Sequence, residues 1–342
     1  MIEVYDSLMR VEALEELWRR LEKCPAMRVF QTYAWNRTAA MTCAERGVLS
    51  VVRWYSQGTD EQVIFPGWID GHGNWRFIGD EVGDVGGCVY GAGAVNRIQA
   101  YREFADWIGE NKAVRRVWLQ KLDGDGESLG YFTAVFQGAI VFRDHLRGQL
   151  RSEKTDDFIG GQTHLKQRER SRLRAIEHRS ENMDFRIVRD GEQALADLMS
   201  LADVMVKKGW RKANWIDGRI AELVKTMTRD GLMEAAELVK EGELEAVGLR
   251  LVKDGQSDAW LCAYRERDIL SSLYVRYMEN LSKTAAWRFD FGVGAYKYKW
   301  QTFRPLPKVS FTLRYSKGTA GKIWDFIRTN VRLMREGLGG EC

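Results

Sequence analysis

The sequence predicts an α+β protein of two domains, the second built on a mixed, mostly antiparallel sheet. Three observations carry this reading. The chain has 342 residues, more than one ordinary core organises at about 150 residues per domain. Its second half reads in the order β, α, α, β, β, β, α, β, α, β, and runs of strands followed by a helix and a returning strand make a mixed sheet. Two turn signals, Glu241-Gly242 and Asp254-Gly255, join three strand-like runs into a meander, because glycine supplies the positive φ of a tight hairpin.

The elements follow in order. Asp6 or Ser7 caps a first helix reaching Lys23, with Leu8, Val11, Leu14, Leu17, Trp18 and Leu21 on one face. A short segment, 29–35, leads to a second helix. Residues 51–55, 62–69 and 74–78 are strand-like, the last two separated by Asp70-Gly-His-Gly. Residues 83–93 are glycine-rich and irregular, 100–111 helical, 115–121 a strand, and 131–142 strand, turn, strand. The polar stretch 143–161 connects the halves, giving domains 1–150 and 151–342. In the second, 183–189 alternates as a strand. Asp190 or Gly191 opens a helix carrying Ala194, Leu195, Leu198, Leu201, Ala202 and Met205 at helical spacing, and 217–229 forms another. The meander follows, then a helix over 269–286, a strand over 287–291 broken by Gly292-Val-Gly294, a short helix over 295–300, a strand over 308–315 and a terminal helix over 321–338.

Composition narrows the function classes. No window approaches 18 consecutive apolar residues, so no transmembrane span is read. The first ten residues carry acids and no apolar h-region, against a signal peptide. Five scattered cysteines without a CxxC read as reduced thiols, and a cytoplasmic location is expected. Four histidines show no metal-ligand spacing, so no metal site is expected. Net charge is only +4, and the basic character is local. Residues 164–179 hold Lys166, Arg168, Arg170, Arg172, Arg174 and Arg179 against Glu169 and Glu177.

Three segments carry a resemblance. His164-Leu-Lys-Gln-Arg-Glu-Arg-Ser-Arg-Leu-Arg174 is similar to the basic helix that opens the second domain of CelD-like acetyltransferases. Phe289-Asp-Phe-Gly-Val-Gly-Ala-Tyr-Lys-Tyr-Lys299 closely resembles that family's D-F-G-x-G-x-x-x-Y-K signature, placing its Tyr-Lys on Tyr298 and Lys299. Residues 29–35 and 77–84 look like its first-domain landmarks. The resemblance implies two tandem GNAT-like (acyl-CoA N-acyltransferase) domains and acyl transfer from an acyl-CoA such as acetyl-CoA to an amine. Acceptors in this family are often polysaccharide or cell-envelope precursors. The related FemAB-like enzymes use aminoacyl-tRNA instead. One junction departs from the GNAT pattern. Where a glycine-rich loop usually holds the pyrophosphate, Arg265-Glu-Arg-Asp-Ile-Leu-Ser-Ser-Leu273 has no glycine. Ser271 and Ser272 can cap the helix there, while Glu266 and Asp268 would repel phosphates.

N-acyl transfer needs a neutral amine near the thioester, a stabilised oxyanion and a base or acid of suitable pKa. Asp290 reads either as a site carboxylate holding the amine or orienting Lys299, or as a short side chain bonding the Gly292–Gly294 loop. Tyr298 can donate to the leaving thiolate or pack near Phe303. Lys299, with Gly292 and Gly294, suits an anion of the donor. Glu245 reads as a general base sharing a face with Val247 and Leu249, or as a solvated strand acid. On the basic helix, Lys166, Arg170 and Arg174 form one stripe and Arg168, Arg172 and Arg179 another, with Leu165, Leu173 and Ile176 between. These rows suit an anionic ligand or tRNA phosphates, or are a solvated face. Trp210 and Trp215 lie in a loop that lines an acceptor site, or Gly209 ends the helix and Trp210 tucks into the core. The leading expectation is an N-acyltransferase acting on the amine of a sugar or other envelope precursor. The alternatives are an aminoacyl-tRNA-dependent transferase and a degenerate, non-catalytic subunit of a polysaccharide system.

Overall fold

A computed structural model describes residues 1–93, 96–294, 296, 298–318 and 321. Two compact units divide the chain: Met1–His145 together with the chain from Val309 on, and Leu146–Lys308.

The first unit begins with β1 (Ile2–Tyr5), α1 (Leu8–Glu12), α2 (Glu15–Leu21), a 3-10 turn (Val29–Gln31) and α3 (Tyr33–Arg46). Strands β2 (Gly47–Leu49), β3 (Val51–Tyr55), β4 (Gln62–Phe65), β5 (Gly67–Asp70), β6 (Asn74–Phe77) and β7 (Val89–Tyr90) follow, then α4 (Arg97–Glu110), β8 (Arg116–Asp123) and α5 (Glu127–Val135). Strands β1, β3, β4 and β7 make an antiparallel sheet in the order β1-β3-β4-β7. In the other sheet β2 pairs with β5, β5 with β6, and β6 with β8 in parallel at Asn74↔Arg116 and Trp75↔Val117. The core is aromatic: Phe65 stacks on Phe104, and Trp75, Tyr101 and Phe132 meet them edge-on, all fully buried.

Strand β9 (Ile140–Ser152) carries the chain into the second unit. There follow α6 (Phe158–Gly161), α7 (Gln167–Arg179), β10 (Asp184–Val188), α8 (Gly191–Lys207), α9 (Gly218–Arg229), β11 (Met233–Lys240), β12 (Glu243–Lys253), β13 (Gln256–Tyr264), α10 (Ile269–Thr284), β14 (Trp287–Val293), a π-type turn (Lys299–Phe303) and β15 (Leu306–Ser316). Strands β10 to β13 run antiparallel. After the α10 crossover β14 joins β13 in parallel, and β9 closes the edge, antiparallel to β14. Asp190 caps α8 through the Gln193 N–H and Asp217 caps α9 through the Arg219 and Ile220 N–H groups, as their positions predict. Helix α10 packs Leu273, Tyr277 and Met278 against Ala236, Leu238, Ala246 and Phe289 on one face of the sheet. Helix α8 packs on the other face, against β12 and β13. Each unit thus repeats one plan, an antiparallel run, a helical crossover and a parallel strand, and the fold is a tandem of GNAT-like α+β domains.

Several expectations change. The boundary at 150 falls inside β9, and residues from Val309 leave the second domain because Ser310–Ser316 of β15 pair with β8. The first helix starts after Ser7 as expected but breaks into α1 and α2, and Ile2–Tyr5 is a strand paired with β3. The run 62–69 splits at Pro66 into β4 and β5, which belong to different sheets, because proline cannot donate to a ladder. Residues 127–135 are helical, not a strand pair: Leu129, Phe132 and Phe136 repeat at helical spacing into the aromatic core. The polar connector 143–161 is largely strand β9, whose buried positions include Arg147 and Gln149. Of the short helix expected over 295–300, residues 295 and 297 lie outside the described residues, and Lys299 and Trp300 open a π-type turn, Lys299–Phe303. The predicted terminal helix lies outside the described residues beyond Gly321.

Candidate functional site

Within the second unit the sheet comes apart at one place. Strands β13 and β14 pair only at Gln256↔Arg288, Ser257↔Phe289 and Asp258↔Asp290. Strand β13 continues to Tyr264 and β14 to Val293, so the two diverge beyond Asp258 and Asp290 and leave a gap between their C-terminal ends. A bulge helps to part them. Ala259 and Leu261 face Arg250 and Leu249 of β12, with Trp260 the extra residue, and a bulge bends and twists its strand. Open parallel edges of this kind are where α/β sheets take ligands.

The face of the gap under α10 is lined by polar aromatics. The rings of Tyr274 and Tyr298 stack with centroids 5.9 Å apart and hydroxyls 3.4 Å apart. Cys262 and Tyr264 of β13 lie half-buried on the same face. Burial pushes the Tyr274 phenol up to about 12 and the Tyr298 phenol well above its usual value, so both keep their protons at neutral pH. Burial also raises the Cys262 thiol, with the Arg250 cation opposing it. Tyr298 therefore carries its proton at neutral pH.

The predicted acids stand apart from this face. Phe289 and Phe291 pack under α10, and period two turns Asp290 to the opposite side of β14. Its carboxylate accepts from Arg147 Nη1 at 2.6 Å and from the Gly292 N–H at 2.9 Å, and both side chains of the ion pair are 1% exposed. Asp290 so bonds the loop through the Gly292 N–H and pairs with Arg147. Glu245 is the extra residue of a bulge in β12, between Leu238↔Ala246 and Val239↔Leu244. The alternation expected to align it with Val247 is broken there, and its backbone carbonyl accepts the Arg265 N–H.

The predicted donor-binding residues are also placed differently. Lys299 is buried; its ammonium donates to the Phe291 carbonyl at 2.6 Å and lies 3.3–3.4 Å from those of Val293 and Gly292. A lysine expected to meet phosphates instead satisfies carbonyls where β14 ends. Gly292 and Gly294 take φ of 69° and 117°, which no L side chain adopts without strain. At the start of α10, Ser271 and Ser272 are buried, and Ser272 Oγ donates to the Ile176 carbonyl of α7 rather than capping. Arg265 donates to the Leu244 carbonyl and pairs with Glu243, while Lys208 pairs with Glu266 at 2.6 Å.

Helix α8 ends in a Schellman motif: Gly209 at φ 69°, Trp210 N–H to the Met205 carbonyl and Gly209 N–H to the Val206 carbonyl. Trp210 packs on Tyr264, with Lys208 and Arg267 over its ring. The helix cap at Gly209 is as expected, and it places the half-buried indole beside the end of β13. Trp215 lies under Arg211, and its indole N–H is buried without a partner.

On α7 the two basic rows separate. Arg170 turns back to the Leu165 carbonyl, Arg174 pairs with Asp157 and Glu177, and Lys166 sits exposed at the N-cap. The other row, Arg168 and Arg172, lines a cleft of about 630 Å³ with Glu169, Ser171, Gln301 and Arg304. Arg304, at φ 43° after the π-type turn, pairs with Glu169 at 2.7 Å. No local pattern in the sequence marks Arg304. Among the described residues no three His, Cys, Asp or Glu side chains form a metal-binding group, and no helix is long and apolar enough to cross a membrane.

Residues 164–300 match the family model described as an acetyltransferase (GNAT) domain. No curated protein matches the chain. Solved structures with the same fold include the C-terminal domain of a putative lysylphosphatidylglycerol synthetase from Agrobacterium fabrum, 12% identical at a TM-score of 0.58 over 95% of this chain and 97% of that one. The chain is also similar to L-PGS from Bacillus licheniformis, 13% identical at a TM-score of 0.56 over 86% and 95%. FemX is 11% identical at a TM-score of 0.54 over 92% and 96%.

Proposed function

We propose that this GNAT-type acyltransferase moves an acyl group from a thioester lodged between β13 and β14 to the amine of a sugar or other envelope precursor. The observation that carries the reading is the strand gap with a protonated Tyr298 beside it. The amine nitrogen attacks the thioester carbonyl, and N–H donors on the freed edge of β13 receive the developing oxyanion. The C–S bond then breaks, the Tyr298 hydroxyl proton passes to the leaving sulfur, and water takes the proton shed by the new amide and returns one to the phenolate. Trp210 and Trp215 flank the entry of the acceptor. The cleft lined by Arg168, Arg172 and Arg304 holds its anionic part.

A second reading is favoured by one feature: the junction before α10 has no glycine and carries Glu266 and Asp268, a poor cradle for a pyrophosphate. An aminoacyl-tRNA donor, as the resemblance to FemAB-like enzymes implies, needs no such cradle, and the basic row of α7 would meet its backbone.

Isothermal titration with acetyl-CoA, followed by acyl transfer to an amino-sugar panel, tests the first reading. Micromolar binding, with Tyr298→Phe binding equally but turning over slowly, supports a thioester donor. Transfer from charged tRNA in the absence of any CoA binding would install the second reading in its place.

A further inference from the structure

The second unit contains a buried cation whose charge the fold leaves incompletely answered. Arg250 of β12 is 0% exposed, yet its Nε and Nη2 have no hydrogen-bond partner; Nη1 lies 3.4 Å from the Leu249 carbonyl, and the guanidinium also stands near the Tyr274 hydroxyl. No carboxylate among the described residues lies within ion-pair distance. Glu234 is its direct cross-strand neighbour, but that carboxylate is held by the Tyr277 hydroxyl and by Arg189, each at 3.0 Å. What surrounds the guanidinium is an aromatic box, with Tyr274, Tyr277 and Phe289 ring centroids 4.5, 5.4 and 5.5 Å away. Cation–π contacts offset part of the cost of burying a charge but supply no counter-ion.

The side chain is aimed at the strand gap. It folds back along its own strand over Gly248, where a Cβ would stand 2.6 Å from Nη2, so any larger residue at 248 would take the guanidinium's place. The cross-strand partner of Gly248 is Cys262, which lies beyond Asp258, the last β13 residue paired with β14. Cys262 is partly exposed, and Tyr274, which lies over the guanidinium, stacks on Tyr298.

We propose that Arg250 receives a carboxylate carried by the substrate that enters the gap between β13 and β14, so that the protein acts on a carboxylate-bearing acyl group or amine. This rests on the acyltransferase reading for the position of the ligand. The planar guanidinium meets a carboxylate through two parallel N–H donors, and the two open nitrogens Nε and Nη2 form such a fork.

The test compares succinyl-CoA with butyryl-CoA by isothermal titration, and glutamate with butylamine by thermal shift, for the intact protein, Arg250→Met and Arg250→Lys. A charge-assisted contact predicts that the carboxylate ligand of one pair binds about 10- to 100-fold better than its neutral counterpart. Methionine abolishes that preference while the neutral ligand still binds, and lysine keeps part of it. A preference within the CoA pair puts the carboxylate on the donor; within the amine pair, on the acceptor. Failure of both CoAs alongside an Arg250-dependent glutamate shift would sink the thioester donor and leave the carboxylate receptor standing. Equal binding within both pairs by the intact protein overturns the proposal.

Discussion

Replacing Asp290 distinguishes a carboxylate that does chemistry from one that holds the sheet. In the structure it is bonded to Arg147 at 2.6 Å, with both side chains 1% exposed, and it also receives the Gly292 N–H. Asp290→Asn removes the charge and leaves the Arg147 guanidinium buried against a neutral amide. Breaking a buried pair from one side costs about 3–5 kcal/mol. For a unit of this size each kcal/mol moves the melting midpoint by about 2–4 °C, so the transition of the second unit should fall by roughly 6–20 °C. Differential scanning calorimetry reads this directly, since two units give separable transitions more readily than one two-state step. The double change Arg147→Met with Asp290→Leu should recover much of the loss, because a matched apolar pair avoids the desolvation of both ions. Turnover of Asp290→Asn, measured below its own transition, should stay within a few-fold of the parent. A variant of unchanged stability that has lost activity by orders of magnitude would refute this assignment and make Asp290 a participant in the reaction.

Tyr298→Phe should lower the turnover number about 10²- to 10⁴-fold with little change in donor affinity, as expected on losing a general acid; retention of activity within three-fold in a steady-state assay would remove Tyr298 from the chemistry. Glu279, raised to about 8 by burial and by the facing Glu177, binds a proton in the folded state that it releases near 4.5 when unfolded. Stability should therefore be fuller below pH 4.5 in respect of this group and decline as pH rises towards 8, and melting midpoints of Glu279→Gln across that window should decline less steeply than those of the parent. Under the tRNA-dependent reading, Arg172→Ala and Arg304→Ala should each weaken binding of a charged tRNA and lower the slope of log affinity against log salt by about one, read by filter binding at several salt concentrations.

The second half of the fold was legible because its signals are local. Gly242 and Gly255 mark the hairpins, Asp190 and Asp217 cap their helices, and the apolar residues of α8 recur at helical spacing. The first half was harder for a physical reason: its core is built from aromatics whose strand-like composition masked the helix over Glu127–Val135. Polar residues concealed β9 in the same way, since Arg147 is buried by a partner 143 residues away and composition cannot show that. At the site, the D-F-G-x-G segment and Tyr298 were visible as a motif, but their roles depend on which face of β14 each residue takes. The motif's lysine reads as a ligand for a donor anion until the end of β14 is seen to turn its carbonyls towards it. Arg250 gave no signal at all, because a basic residue in a strand is ordinarily solvated, and only the geometry shows that this one is not.

The pairing of β15 with β8 bears on how the protein emerges from the ribosome. Strand β8 is complete early in synthesis, but the partner for its open edge, β15, is made far later: Arg116 bonds Ser316, 200 residues further along. At 5–20 residues per second the nascent chain carries an unpaired strand edge for about 10–40 s. The first unit cannot close its sheet before the chain through β15 has been translated. Exposed edges of this kind invite pairing with other chains, and the interval makes translation speed and chaperone supply a determinant of yield. A chain cut after residue 150 would carry that open edge permanently.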